Sequence, residues 1–243
     1  MRAMVFAKRN TLEIIRDPLS LFFGLGFPVI LLILLSIINK NIPVDLFSVS
    51  NLTPGIAVFG LSFLSLFSAQ LIAKDRTTAL LSRLFTTPMT AMDFILGYTL
   101  PLLPMALLQS VVCFLCAIIL GLKMTWSIVP TILLLFVVSL IFIGLGLLIG
   151  STLSEKAATA ISGALLTNLC GWLSGTWFDL ELVGGAFRDI AYALPFVHAV
   201  EMGKAALAGN YQDIWPHLGV VAGYGIVLLA IAVTLFHKKM KTI

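Results

Sequence analysis

Six stretches of 20 or more residues contain no Asp, Glu, Lys or Arg: 19–38, 54–73, 94–120, 128–150, 159–178 and 217–236. A helix rises 1.5 Å per residue, so about 20 apolar residues cover the ~30 Å hydrocarbon core of a bilayer. Each stretch is long enough to span, and none carries a charge that would have to be buried in lipid. The rest of the composition agrees: 60% of the chain is hydrophobic and only 11% is charged. A soluble domain carries roughly 25% charged residues to cover its surface, so this surface has to face lipid. The expected fold is therefore an all-α membrane protein, one domain over 1–243 with six transmembrane helices. A cleaved signal peptide is not expected, because the first apolar run ends in Asn39-Lys40-Asn41 with no small-residue cleavage site.

Basic residues orient the spans. With six spans both termini share a side, and that side holds eleven of the fifteen Lys and Arg residues, against four (Lys40, Lys123, Arg188, Lys204) on the other. The positive-inside bias then puts both termini in the cytoplasm. A net charge of +4 suits contact with anionic lipid headgroups and does not point to nucleic acid. The third span carries Gly97, Pro101 and Pro104, which predict a kink near its start. Glycine pairs four apart (Gly146/Gly150, Gly171/Gly175, Gly219/Gly223) predict close helix approach. Cys113, Cys116 and Cys170 all lie within apolar runs and read as packing residues.

Three segments outside the spans carry information. Residues 3–17 read as an interfacial helix, with Arg9, Glu13 and Arg16 on a polar face and Met4, Ala7, Thr11, Ile14 and Ile15 opposite; Asp17-Pro18 ends it. In the loop 74–93, Asp75, Thr77 or Thr78 can cap a short helix from about Ala79 to Phe85, with Pro88 as its stop. That helix would show Leu80, Leu81 and Leu84 beside Arg83 as an exposed docking ridge. The segment 179–216 is too charged to span and too apolar for a free loop, which predicts two short helices dipping into the outer leaflet, broken at Pro195 and Gly209. His198 and Glu201 stand three apart, but with only His217 as a further outer histidine a metal site is not expected.

Chemistry narrows the function by what is missing. Ion-coupled carriers and charged-ring channels use ionisable groups within the membrane, and these spans have none. An intramembrane enzyme needs a clustered acid, base or metal set, and there is no H-E-x-x-H. A transporter driven by an outside motor needs neither. No G-x-x-x-x-G-K-[ST] is present, so ATP would be hydrolysed on another chain.

The run Asp75-Arg76-Thr77-Thr78-Ala79 through Arg83-Leu84 to Thr87-Pro88, continuing Asp93-Phe94-Ile95-Leu96-Gly97-Tyr98, resembles the coupling segment of ABC-2 type exporter permeases, with Ala79 and Leu80 replacing the usual Gly-Thr. Arg16-Asp17-Pro18 is similar to the end of that family's connecting helix, and Leu194-Pro195-Phe196 with Glu201 and Gly209 is similar to its outer re-entrant segment. The resemblance implies ATPase coupling through Asp75, Arg76, Thr77, Thr78, Leu80, Leu81, Arg83, Leu84 and Pro88. It implies a connecting helix bearing Arg9, Glu13, Arg16 and Asp17, and an outer segment marked by Pro195, His198, Glu201 and Gly209. It further implies a homodimer or a heterodimer with a second permease, a cytoplasmic ABC ATPase that binds ATP and Mg, and a multi-pass place in a cytoplasmic membrane, bacterial by expectation. The uncharged spans favour a hydrophobic or amphiphilic cargo such as a drug, lipid, peptide or natural product. A lipid-linked glycan, or a non-ABC channel or anchor role, is the alternative.

Overall fold

The computed structural model describes residues 2–41, 45–78 and 80–240, and every regular element among them is helical. α1 (Arg2–Ile15) precedes α2 (Pro18–Asn41), which loosens into a π turn at Phe22–Gly26. α3 (Val49–Thr77) runs past a tight turn at Ser62, and a short α4 (Leu80–Phe85) follows. α5 (Ala91–Ile119) breaks at Leu100–Pro101, since Pro101 has no N–H to give the helix ladder. α6 (Ile128–Thr152) is followed by α7 (155–173), with a π turn at Ile161–Leu166. Three short helices come next, α8 (Leu180–Val183), α9 (Gly185–Ala193) and α10 (Pro195–Ala208), before the long α11 (Ile214–Met240).

Five of these helices (α2, α3, α5, α6 and α11) are long and apolar enough to cross a membrane. The expected fifth span, 159–178, differs. α7 starts earlier, carries Glu155 and Lys156 in its first turn, and ends at Leu173. Beyond it Ser174 and Thr176 pair through their hydroxyls at 2.7 Å, and Gly175 takes φ +70°. That left-handed backbone suits glycine and ends the helix.

α3 is the axis of the bundle. Its apolar window is 89% buried, whereas those of α2 and α11 are 22% and 17% buried and form the rim. Small residues bring α3 and α6 together. A methyl group on Gly146 would stand 2.4 Å from the Ser65 carbonyl oxygen, and one on Gly150 would stand 2.5 Å from that of Ala69. By contrast, among the described residues nothing lies within 4 Å of a side chain built at Gly219 or Gly223, so that predicted pair makes no close approach to them. Gly146→Leu should therefore force α3 and α6 apart and cost about 1–3 kcal/mol of stability. Gly219→Leu should leave the midpoint of thermal unfolding unchanged, and equal effects from the two would contradict this packing.

Candidate functional site

The Lys/Arg-rich end of the bundle carries a polar network that joins α1, α3 and α5. Asp75, in the last turn of α3, is only 1% exposed. Arg9 Nη1 donates to its Oδ2 at 2.9 Å, and Arg9 Nη2 stands 2.8 Å from its Oδ1. The Tyr98 hydroxyl donates to the same Oδ2 at 2.8 Å from a fully buried position on α5. Arg9 Nη2 also meets Glu13 at 2.9 Å, and Lys74 Nζ donates to Glu13 Oε1 at 2.5 Å. A carboxylate this far from water needs such partners, because an unpaired buried charge is prohibitive.

Shape places these groups. α1 packs on the first half of α5 through Phe6, whose ring meets Tyr98 edge-on at 4.9 Å and Phe94 at 6.0 Å. A methyl group on Gly97 would lie 2.2 Å from the Phe6 ring, so only glycine admits it. Buried Asn10 donates to the Gly97 carbonyl at 3.0 Å and accepts from Arg9 at 2.7 Å. The Gly97-Tyr98 pair thus has a physical role: one residue makes room for α1, and the other anchors Asp75.

Arg76, next in the chain, turns the other way and donates to the carbonyls of Gly150 (3.0 Å) and Leu153 (2.8 Å) at the end of α6. Those are carbonyls that a helix end leaves unpaired, and a cation there also suits the helix dipole. Thr77 and Thr78 hydroxyls fold back on the Lys74 carbonyl, and Thr77 also reaches Glu155 at 3.3 Å. Asp75 and Arg76 therefore fasten the end of α3 to α1, α5 and α6.

This geometry corrects the expected coupling segment in two respects. Asp75 caps nothing; it is the buried hub. The leucine ridge is not exposed either: Leu81 is 4% exposed in the core, and Leu80 and Leu84 are half-buried. The outward residues are Ser82, Arg83, Thr86, Thr87 and Pro88, and the Arg83 side chain has no polar partner among the described residues. The helix start expected at Ala79 lies outside the described residues. Arg2 donates to the Pro88 carbonyl, and a capping box between Thr90 and Asp93 opens α5.

Comparison with protein families matches residues 2–207 to the ABC-2 type transporter family, over a stretch that holds this whole network. The chain belongs to that family. It is an integral membrane protein and a permease subunit of an ABC transporter, and permeases of this family work with a cytoplasmic ABC ATPase. No curated protein matches the chain.

Beside the network the permease opens a cleft of about 740 Å³, lined by Arg9 and Glu13 of α1, by Arg16 and Asp17 of the turn after it, by Phe67, Gln70 and Lys74 of α3, and by Glu155. Asp17 accepts from the Leu19 and Ser20 amides and so caps the start of α2, a role the sequence reading, which had Asp17-Pro18 only ending the first helix, did not give it. The helical projection of α1 needs correction too. Its buried stripe is Ala3, Phe6, Ala7, Asn10 and Ile14, while Met4 and Ile15 are exposed.

At the opposite end, Pro195 opens α10 and Gly209, at φ +81°, closes it. α10 lies against α3, α6 and α11, with Phe196 stacked on Phe142 at 5.9 Å. His198 Nδ1 stands 2.8 Å from His217 Nδ1, and its Nε2 stands 2.9 Å from the Tyr192 carbonyl oxygen. Glu201 pairs with Lys204 at 2.9 Å instead of joining His198. The sequence reading missed Asn10, Lys74 and Tyr98. The signal for Tyr98 was its place after Gly97 in a family motif, and Lys74 and Asn10 carried none beyond helical spacing.

Proposed function

We propose that this permease is the translocating subunit of an exporter for a hydrophobic or amphiphilic cargo. Both termini lie in the cytoplasm, and six spans cross a cytoplasmic membrane. α7 serves as the fifth span, since its 19 residues extend about 28 Å at 1.5 Å per residue. α9 and α10 form the outer re-entrant segment. A second copy or a paralogue completes the pathway, and a separate ATPase carries ATP and Mg. Its docking surface is the segment 80–88.

The observation that carries this reading is the coupling of that segment to the bundle. The segment follows a helix end that Asp75 and Arg76 fasten to α1, α5 and α6. A push on Arg83 is therefore delivered to several spans at once, as a transition between two rigid arrangements requires. Closure of the ATPase around ATP then shifts the bundle between inward-facing and outward-facing states.

Two measurements test it. Purification from native membranes should recover a P-loop ATPase with the permease, and vesicles holding both should move an amphiphilic cargo outward only with ATP. A permease that purifies alone, or that transports without ATP, rules the reading out. For sidedness, single cysteines at Ser48 and Asp213 on a cysteine-free background should react with an impermeant reagent from outside cells. Reaction from the inside only would overturn the six-span arrangement.

A further inference from the structure

The hairpin between α5 and α6 borders two cavities, one almost wholly apolar and one that also carries cationic and polar side chains. On one side is an apolar groove of about 440 Å³ between the two helices, lined by Phe114, Leu115 and Ile118 of α5 and Val129 and Ile132 of α6. Met124 and Trp126 stand at its mouth, 83% and 90% exposed. On the other side is a mixed cavity of about 500 Å³ whose lining joins Ser48, Ser50, Asn51, Lys123 and Lys204 to Val49, Leu122 and Leu207, with no acidic side chain among the described residues. Thr125 borders both, so the cavities meet across one residue. Each volume lies within the ~300–1,000 Å³ of small-molecule sites.

Internal pairing accounts for one of the two lysines only. Lys123 has no ionic partner among the described residues, and Lys204 is paired with Glu201, which does not line the cavity. An indole as exposed as Trp126, beside a lysine and at the end of two membrane-spanning helices, suits the headgroup level of a bilayer. The groove beside it is lined by apolar side chains of two helices long enough to cross a membrane. We infer that this end of the permease binds an anionic amphiphile, its acyl chain in the α5–α6 groove and its phosphate against Lys123 and Lys204. Charge decides the headgroup. The unpaired Lys123 ammonium, with hydroxyl and amide donors and the Glu201-held Lys204 beside it, complements a phosphate bearing a net negative charge, which a zwitterionic lipid offsets with its own cation. Which leaflet supplies the lipid rests on the sidedness proposed above, but binding in detergent does not depend on sidedness or on transport.

The test uses the full-length permease, stripped of lipid in detergent and examined by native mass spectrometry with added phosphatidylglycerol, phosphatidylcholine or inorganic phosphate. Phosphatidylglycerol should be retained several-fold more than phosphatidylcholine. Lys123→Gln should lower its retention at least fivefold and leave phosphatidylcholine nearly unchanged. Leu115→Trp, at a side chain 55% exposed and so open to a larger one, should fill the groove and lower retention of both lipids. Lys204→Gln, with thermal unfolding as a check on the fold, gives an independent variant of the mixed cavity and should act like Lys123→Gln. Equal retention by wild type and all three variants overturns the site. Complete displacement of phosphatidylglycerol by inorganic phosphate would make it a site for free phosphate, not an amphiphile. A Leu115→Trp variant that splits a permease dimer while lipid retention holds would give the groove to a second copy instead.

Discussion

Asp75→Ala is expected to cost the permease about 4–6 kcal/mol of stability and to release α1 from the bundle. Removing one member of a buried ion pair typically costs 3–5 kcal/mol, because the other charge is left uncompensated. Here the low end applies, since the Arg9 side chain is 39% exposed and keeps Glu13 at 2.9 Å. Tyr98 has no such relief. Its hydroxyl is buried and donates only to Asp75, and an orphaned buried donor adds about 1–3 kcal/mol. Asp75→Asn should fall between, because an amide oxygen still accepts from Tyr98 while the pairing with Arg9 weakens. Thermal unfolding in detergent reads the stability, and limited trypsin digestion at Lys8 and Arg9 reads the release of α1. An Asp75→Ala permease with wild-type unfolding and wild-type protection of α1 would remove Asp75 from the centre of the network.

The same residue shows where the sequence stops being legible. Spans were readable because lipid imposes a one-dimensional rule: length and absence of charge suffice, and the five long apolar helices fall where uncharged runs predict them. Asp75 follows such a run by two residues and so looks like a loop cap. It is buried because Arg9, 66 positions earlier, comes to cover it, and no local pattern announces a partner that distant. The α1 stripe failed for a related reason. Phe6 projects towards the charged side of an isolated helix, yet it is buried because Gly97 leaves a socket for it. Leu81 was read as exposed on a segment outside the membrane, whereas the short helix tucks its apolar side under the bundle. The helix boundaries at Pro195 and Gly209 were legible, since each residue dictates its own backbone.

Arg83→Glu should abolish ATPase docking and leave the permease folded. Arg83 is the exposed cation of α4, without a polar partner among the described residues, so its replacement removes no internal contact. At a docking surface the same change replaces a charge-assisted hydrogen bond with repulsion against an acidic partner. Truncation of a central interface residue typically costs at least about 2 kcal/mol, and truncating one member of a desolvated charge pair costs about 2–5. A loss of roughly 3 kcal/mol weakens docking about a hundredfold, enough to uncouple ATP hydrolysis from transport. Leu81→Ala makes the contrast, because Leu81 is 4% exposed and its truncation opens a cavity worth about 2–5 kcal/mol of folding stability. Three readouts therefore separate docking from architecture. Arg83→Glu should keep the unfolding midpoint while ATPase co-purification and ATP-driven transport fall together, whereas Leu81→Ala should lower the midpoint first. If Arg83→Glu recruits the ATPase and transports at the wild-type level, the docking surface is not on α4. The fastening by Asp75 and Arg76 would then serve only to hold the end of α3 in place.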